Sequence, residues 1–381
     1  MKSRDIAVFL TIVFLIYAGA NTFLYFKGAV AYKGILSTGL YNILFIVISL
    51  SFIAGKILER RYSSLLADIL NITGGFWLSF IFYSIIILVA TDLLRLSFML
   101  TGVLPDQDIR AFRQYSYLVS SGLASLLVAG GFLNTLFPAI RKYEIVIDKP
   151  AEVKELRIAA VSDIHLGSII GKRSMRMLSK KLDAISPDMV LFLGDTVDGE
   201  INPVLRNDLL EALRLPDSAR HVYAISGNHE YIGNYSKTIP YIEEKGLRVL
   251  ADETVFLEEG ILLLGRKDRD SFRYTGEGRK ELSDLMDGQD LNKPVIVMDH
   301  QPPMKKDSEI SGFDLMLSGH THKGQMWPLN HLTSRIYKIT YGHRLIGGCH
   351  YIVSSGFGSW GPRVRIGNRP EVLDIRLIFN S

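Results

Sequence analysis

The chain has 381 residues, 48% of them hydrophobic and 22% charged, a balance that suits neither a wholly soluble protein nor a bundle of membrane spans alone. A net charge of +4 without any long Lys/Arg run excludes a nucleic-acid footprint. Cys349 is the only cysteine, which excludes an internal disulfide and a thiolate metal cluster and is compatible with a reducing compartment.

Four apolar stretches open the chain, at Ile6 to Phe26, Leu40 to Gly55, Ile69 to Thr91 and Tyr117 to Phe137. Each is near the length of roughly 20 residues that a helix needs to cross a bilayer, and we read them as transmembrane spans. Lys2, Arg4 and the Ala18-Gly19-Ala20 run give the first span some likeness to a signal peptide, but the expectation is a retained span. Lys2, Arg4, Lys56, Arg60, Arg61, Arg141 and Lys142 fall on one side of the membrane, and Lys27, Lys33, Arg95, Arg110 and Arg113 on the other. The larger set places both termini, and the domain after the spans, in the cytoplasm. Asp68 and Asp92 lie near span ends, where solvation accounts for them.

After Pro138 the pattern changes to alternating apolar runs and charged, glycine-containing breaks, giving an anchor domain over 1–142 and a β-rich α/β domain over 143–381. Strands are expected at Tyr143 to Ile147, Arg157 to Val161, Met189 to Leu193, Val222 to Ile225, Val295 to Met298 and Leu315 to Leu317, with helices near Ser174 to Ile185 and Leu205 to Leu213.

The apolar runs end in groups suited to metal ligation. Val161 is followed by Asp163 and His165, Leu193 by Asp195, Ile225 by Asn228 and His229, Met298 by His300, and Leu317 by His320 and His322. Ligand sites in α/β sheets collect at the carboxyl ends of strands, so five loops are expected to converge. Residues two apart on extended backbone point the same way, which would aim each Asp/His or His/His pair at one locality. Gly194, Gly227 and Gly319 precede ligands where glycine permits positive φ and close backbone approach. Carboxylate, amide and imidazole donors suit Mn²⁺, with Fe or Zn²⁺ as alternatives. His221, His331, His343 and His350 stay outside the pattern and are read as surface or loop residues.

The segments Asp163-x-His165, Gly194-Asp195-x-x-Asp198, Gly227-Asn228-His229-Glu230, His300 and Gly319-His320-x-His322 resemble the calcineurin-like metallophosphoesterase superfamily from Tyr143 onward. The tail, with Ser354-Ser355-Gly356-Phe357-Gly358, Pro362-Arg363-Val364-Arg365-Ile366-Gly367 and Arg369-Pro370-Glu371, is similar to the bacterial membrane-associated branch of UDP-2,3-diacylglucosamine pyrophosphatase-like proteins. The resemblance implies a four-layer α/β/β/α sandwich with two divalent metal ions. Carried over by position, Asp163, His165, Asp195 and His322 would hold the first, and Asp195, Asn228, His300 and His320 the second. His229 would be the catalytic residue, contacting phosphate or protonating the leaving group, and Asp198 would orient a histidine.

The implied activity is hydrolysis of a phosphoester or pyrophosphate bond in a phosphorylated small molecule or a lipid-linked substrate at the membrane. Lys323 replaces the branch's usual glycine and is expected to reach solvent. Arg266, Lys267, Arg269, Arg273, Arg335, Lys338 and Arg344 are read as charged loop surface with the capacity to meet an anion, and Trp327, Trp360, Tyr337 and Tyr341 as interface or core aromatics. The competing class is a metal-binding sensor or regulatory membrane protein with a non-catalytic domain; turnover of an aryl phosphodiester separates the two.

Overall fold

The computed structural model describes residues 3–103, 105–307 and 311–380, arranged in two compact units, Met1–Leu133 and Asn134–Ser381. Lys2 of the charge comparison lies outside the described residues, as do the side chains of Arg4, Arg110 and Arg113.

The N-terminal unit is built from α1 (Ser3–Ala31), α2 (Thr38–Arg61), α3 (Leu65–Thr101) and α4, which runs from Asp106 to Thr135. All four contain stretches long and apolar enough to cross a membrane, including the short second stretch, which grows into a 24-residue helix. The helices overrun the apolar runs because their caps lie further out. Ser37 accepts from Leu40 N and Ser64 from Ala67 N, while Gly102, at φ 66°, closes α3 in the left-handed region. Small residues let α2 and α3 approach closely: Gly74 lies against the Phe52 backbone and Gly55 against Asn71. Asp92 corrects the solvation reading, since its carboxylate pairs with Lys27 Nζ of α1 at 2.6 Å.

The second unit contains two six-stranded sheets. The strands are β1 (Ala139–Ile147), β2 (Glu155–Val161), β3 (Met189–Leu193), β4 (His221–Ile225), β5 (Arg248–Val249), β6 (Glu253–Phe256), β7 (Leu262–Gly265), β8 (Val295–Met298), β9 (Leu315–Ser318), β10 (Gly342–Ile346), β11 (Cys349–Val353) and β12 (Glu371–Phe379). Their orders are β1-β12-β2-β3-β4-β5 and β10-β11-β9-β8-β7-β6. β1 starts four residues before its expected position, because all nine of its residues pair in parallel with β12.

Each sheet buries both faces, which is why β3, β8 and β9 read as unbroken apolar runs. Ile158, Leu191 and Ile225 of the first sheet share one core with Leu263, Ile296 and Leu317 of the second. On the outer face of the first sheet, the Lys172–Ile185 helix buries Met175, Leu178, Leu182 and Ile185 at helical spacing. On the outer face of the second, Leu282 and Leu285 pack with Leu264 and Val297. The result is an α/β/β/α sandwich. The helix expected over Leu205 to Leu213 is two pieces, Asn202–Asn207 and a 3₁₀ turn at Leu210–Ala212, since Pro203 starts it early and Asp208 breaks it at φ 41°.

β2, β3 and β4 run parallel, as do β7, β8 and β9, so within each sheet these strands end on one edge. Leu191→Ala empties part of the core between the sheets and should cost about 2–5 kcal/mol, read as a lowered urea midpoint of the second unit's transition.

Candidate metal centre

Every metal-ligand candidate lies two to four residues beyond the last residue of β2, β3, β4, β8 or β9. Backbone bonds stitch these loops together: Asp163 N donates to Gly194 O at 3.0 Å, His165 N to Asp195 O at 2.9 Å, and Gly319 N to His300 O at 2.9 Å. Side-chain contacts also cross between the sheets. His320 N donates to both Asp163 carboxylate oxygens at 3.0 Å, and His300 Nδ1 lies 2.7 Å from Leu193 O.

The seven metal candidates and His229 form one cluster. Three overlapping groups have their ligand atoms within 4.8 Å of one another: Asp163, His165 and His322; His165, Asp195 and His229; and Asp195, His300 and His320. Asn228 joins the third through its Oδ1, 3.0 Å from His320 Nδ1. His165 and Asp195 therefore link both ends of the site.

The loop geometry is not the extended backbone expected. Asp163 (φ 55°), His165 (φ 52°), Asp195 (φ 52°), His320 (φ 67°) and His322 (φ 46°) all occupy the left-handed region, which is costly for residues with a Cβ. Side chains converge because each loop curls back over the strand end. Of the three glycines, only Gly194 has positive φ, at 88°. Gly227 and Gly319 serve close approach instead: a Cβ at Gly227 would strike the Asp195 carboxylate, and one at Gly319 would strike Ser162 and Asp163.

The donor chemistry fits a cation. Leu193 O only accepts, so His300 Nδ1 carries the proton and Nε2 presents its lone pair. That lone pair faces Asp195 Oδ2 at 3.1 Å and has no hydrogen-bond partner among the described residues. Two acceptors in a buried crevice need a positive charge between them, and about 3 Å is the separation of neighbouring ligands on one ion with bonds of about 2.1 Å. Without an ion, a proton takes that place. Burial opposes it, but Asp195 raises the His300 pKa well above the ordinary imidazole value. At the other end, His322 Nε2 lies 3.0 Å from His165 Nε2 and 3.2 Å from Asp163 Oδ1, so three potential donor groups surround one point.

The remaining charges are tuned to match. Burial pushes Asp163 and Asp195 up, but the surrounding histidines hold both below the usual carboxylate range. Burial, helped by His300, pushes His320 down to about 3, and burial pushes His322 down to about 4 against the opposing pull of Asp163. Both are therefore neutral imidazoles at neutral pH. His229 differs: burial lowers its pKa, but Asp195 and Asp198 raise it to about 9. Asp198 Oδ1 sits 2.8 Å from His229 Nδ1 and 3.6 Å from His165 Nδ1, so it orients two histidines.

Two buried residues join the site without having been assigned a role from sequence. Glu230 accepts from Asp195 N (3.0 Å), Val197 N (3.0 Å) and Gly227 N (2.7 Å), clamping the loops after β3 and β4. Its place three residues after Gly227, a capping-box spacing, was the available signal. Arg365 is buried, with Nη2 2.9 Å from His322 Nδ1 and its other donors on the Ser355 and Gly358 carbonyls. A guanidinium only donates, so His322 Nδ1 accepts and the neutral ring carries its proton on Nε2, toward Asp163 Oδ1; ligation through Nε2 would release that proton. No local pattern around Arg365 announced this.

Several charged loop residues are not free surface. Arg266 is buried against Asp299 at 2.8 Å, Arg269 pairs with Asp307 at 2.8 Å, and Lys267 with Glu277 at 3.8 Å. Arg273 lies over the Tyr274 ring, and Lys323, expected in solvent, lies 4.3 Å from the Tyr341 ring centroid. Arg335 and Arg344 are exposed, Lys338 partly so. His343 and His350 pair with each other across β10 and β11 at 2.8 Å, and His221 pairs with Glu259.

A family model described as calcineurin-like phosphoesterase matches residues 156–324. An uncharacterized metallophosphoesterase of Aquifex aeolicus is 30% identical over 67% of this chain and 97% of its own. The chain belongs to the calcineurin-like metallophosphoesterase family. A metallophosphoesterase of Campylobacter jejuni, also uncharacterized, is 25% identical over 97% of this chain and 98% of its own. A Bos taurus protein described as a transmembrane protein with metallophosphoesterase domain is 29% identical over 67% of this chain, which spans 61% of the bovine length. This metallophosphoesterase domain thus follows four apolar helices in a membrane protein, and its His/Asp clusters suit divalent metals.

Glu230→Gln replaces one acceptor oxygen with an NH₂ that faces backbone N–H groups. It should weaken divalent-metal binding roughly 10- to 100-fold by calorimetric titration, with the fold retained by circular dichroism.

Proposed function

We propose that the protein is a membrane-anchored, dinuclear metal-dependent phosphoesterase acting on a phosphoester or pyrophosphate bond of a lipid-linked substrate. The carrying observation is the continuous cluster from Asp163 to His320, with His165 and Asp195 shared between its ends. Asp163, His165, Asp195 and His322 would hold one ion, and Asp195, Asn228, His300 and His320 the other, with Mn²⁺ the best match to the mixed donors. The chemistry such ions supply when bound is acidification of water and neutralisation of charge on phosphoryl oxygens.

The chain's own residues do the rest. His229, at the edge of the cluster and protonated at neutral pH, is placed to donate to a leaving oxygen. Asp198 keeps its ring directed, and Glu230 and Arg365 hold the ligands against rotation. The cluster opens into a cleft of about 470 Å³ whose far wall is apolar: Leu329, Leu332, Ile336 and Trp360. An apolar wall beside a phosphate-binding centre suits an amphiphilic substrate, in keeping with the tail's likeness to the diacylglucosamine pyrophosphatase branch. The four spans keep the domain where such a substrate is concentrated, and the Lys/Arg distribution favours the cytoplasmic side.

Purified protein with Mn²⁺ should hydrolyse an aryl phosphodiester, and Asp195→Asn should lower kcat at least about 100-fold, the loss expected for a group that stabilises reacting charge. Metal binding without turnover by the wild type would favour a sensor. Between lipid pyrophosphates and soluble nucleotides, turnover of the soluble compounds alone would overturn the lipid-linked reading. Activity requires the protonated form of His229, so it should fall as pH rises toward about 9. Bound cations compete with Asp195's pull and can only bring that limb to lower pH; His229→Gln should abolish it in the pH–kcat profile.

A further inference from the structure

The last apolar segment, Tyr115–Thr135, has 21 residues, about the length that crosses a bilayer, so Thr135 marks the headgroup level on its side. Beyond it the chain is gripped by the C-terminal tail. Asn134 Nδ2 donates to the carbonyls of Arg365 (3.0 Å) and Asn368 (2.6 Å), Arg363 Nε donates to Thr135 Oγ1 (3.3 Å), and Arg369 Nε donates to Phe137 O (2.6 Å). Ala139 N then donates to Pro370 O at 2.8 Å. The segment from Arg363 to Pro370 is therefore held within hydrogen-bonding reach of the point where the chain leaves the membrane.

That tail also builds one rim of the metal cleft. Trp360 lines the cleft, and its carbonyl accepts from Gln325 Nε2 at 3.0 Å. Trp327 N donates to Ile366 O at 2.9 Å, and Gly367 lies against the Trp327 side chain. Both indoles are about half exposed, at 51% for Trp327 and 50% for Trp360. On the adjoining Asn330–Ile336 helix, Leu332 and Ile336 line the same cleft and are 57% and 43% exposed. Exposed apolar side chains scattered singly are ordinary, but here three line one cleft and Trp327 adjoins the tail beside the chain's exit. Tryptophan is the side chain that settles at the headgroup boundary, with an apolar body and a polar N–H.

We propose that this rim, formed by Trp327, Trp360, Leu332 and Ile336, is a membrane-contact surface seated in the headgroup–acyl boundary of the bilayer that holds the spans. The metal cleft then opens directly onto the lipid surface. Arg335 on the same helix and Arg369 beside the exit are exposed and would meet anionic headgroups. The proposal rests on the four helices being spans and stands independently of the phosphoesterase reading, because contact with lipid requires neither metal nor turnover.

The test uses the full chain in nanodiscs of phosphatidylcholine and phosphatidylglycerol. The chain has three tryptophans, so paired Trp→Phe substitutions leave Trp77, Trp327 or Trp360 alone, with Trp77 of α3 as the reference within a span. Phospholipids brominated near the ester end of the acyl chain should quench Trp327 and Trp360 emission to an extent comparable with Trp77, and aqueous iodide should quench them weakly. Strong iodide quenching without bromolipid quenching overturns the proposal. So does shielding from both quenchers, which would mean that protein, such as a second copy, covers the rim. Quenching of Trp327 by lipid with Trp360 open to iodide overturns the placement of the cleft mouth. A bimane on Leu332→Cys in a Cys349→Ser background gives the same reading with every tryptophan intact.

Discussion

Asp163 and Asp195 are carboxylates buried at the junction of two sheets, and the surrounding architecture answers the cost of putting negative charge there. Five imidazoles close around them, His165 from the Asp163 loop itself and four from other loops, and the negative charge so enclosed requires cations or protons in the gaps. Apolar sheet packing brings the loops to one place. The electrostatics then decide that only a cation-bound or protonated state is tolerable, which is the physical meaning of a metal centre in this fold.

Holding that arrangement needs backbone that an isolated loop would avoid. Five candidate ligands sit at positive φ, each a local cost of about 1–3 kcal/mol by general experience, and they persist because hydrogen bonds over-determine them. Glu230 ties two loops through three N–H groups, and His320 N ties one sheet to the Asp163 carboxylate of the other. Gly227 and Gly319 are needed because no Cβ fits where the strands' ends crowd together. Arg365 adds a cation aimed at the far nitrogen of His322, fixing which face of that ring meets the site. The loops interlock through these bonds.

The tail joins the two halves of the protein's character. Arg365 reaches the metal cluster, while Arg363, Asn368 and Arg369 hold the chain where the last apolar helix ends. One short segment thus touches both the His/Asp cluster and the end of the last apolar helix. Trp360, which lines the cleft, lies just before the same segment.

Much of this was legible beforehand. Apolar runs of near-membrane length marked the spans, continuous buried runs marked the central strands, and ligand types placed just after those strands marked the centre, because burial and ligation each demand particular side chains at particular spacings. Helix ends were misjudged where caps such as Ser37 and Gly102 lie outside the apolar run, and Leu205 to Leu213 was misjudged because Asp208 breaks a periodic pattern. By itself the sequence determined which residues could ligate and in which order they arise. Only the tertiary structure decided how they converge, by left-handed loops and not extended pairs, and that Arg365, Glu230 and the tail's grip on Asn134 belong to the same machinery. Those contacts join residues up to 234 positions apart in the chain, and hydrogen bonds of that range leave no local pattern to read.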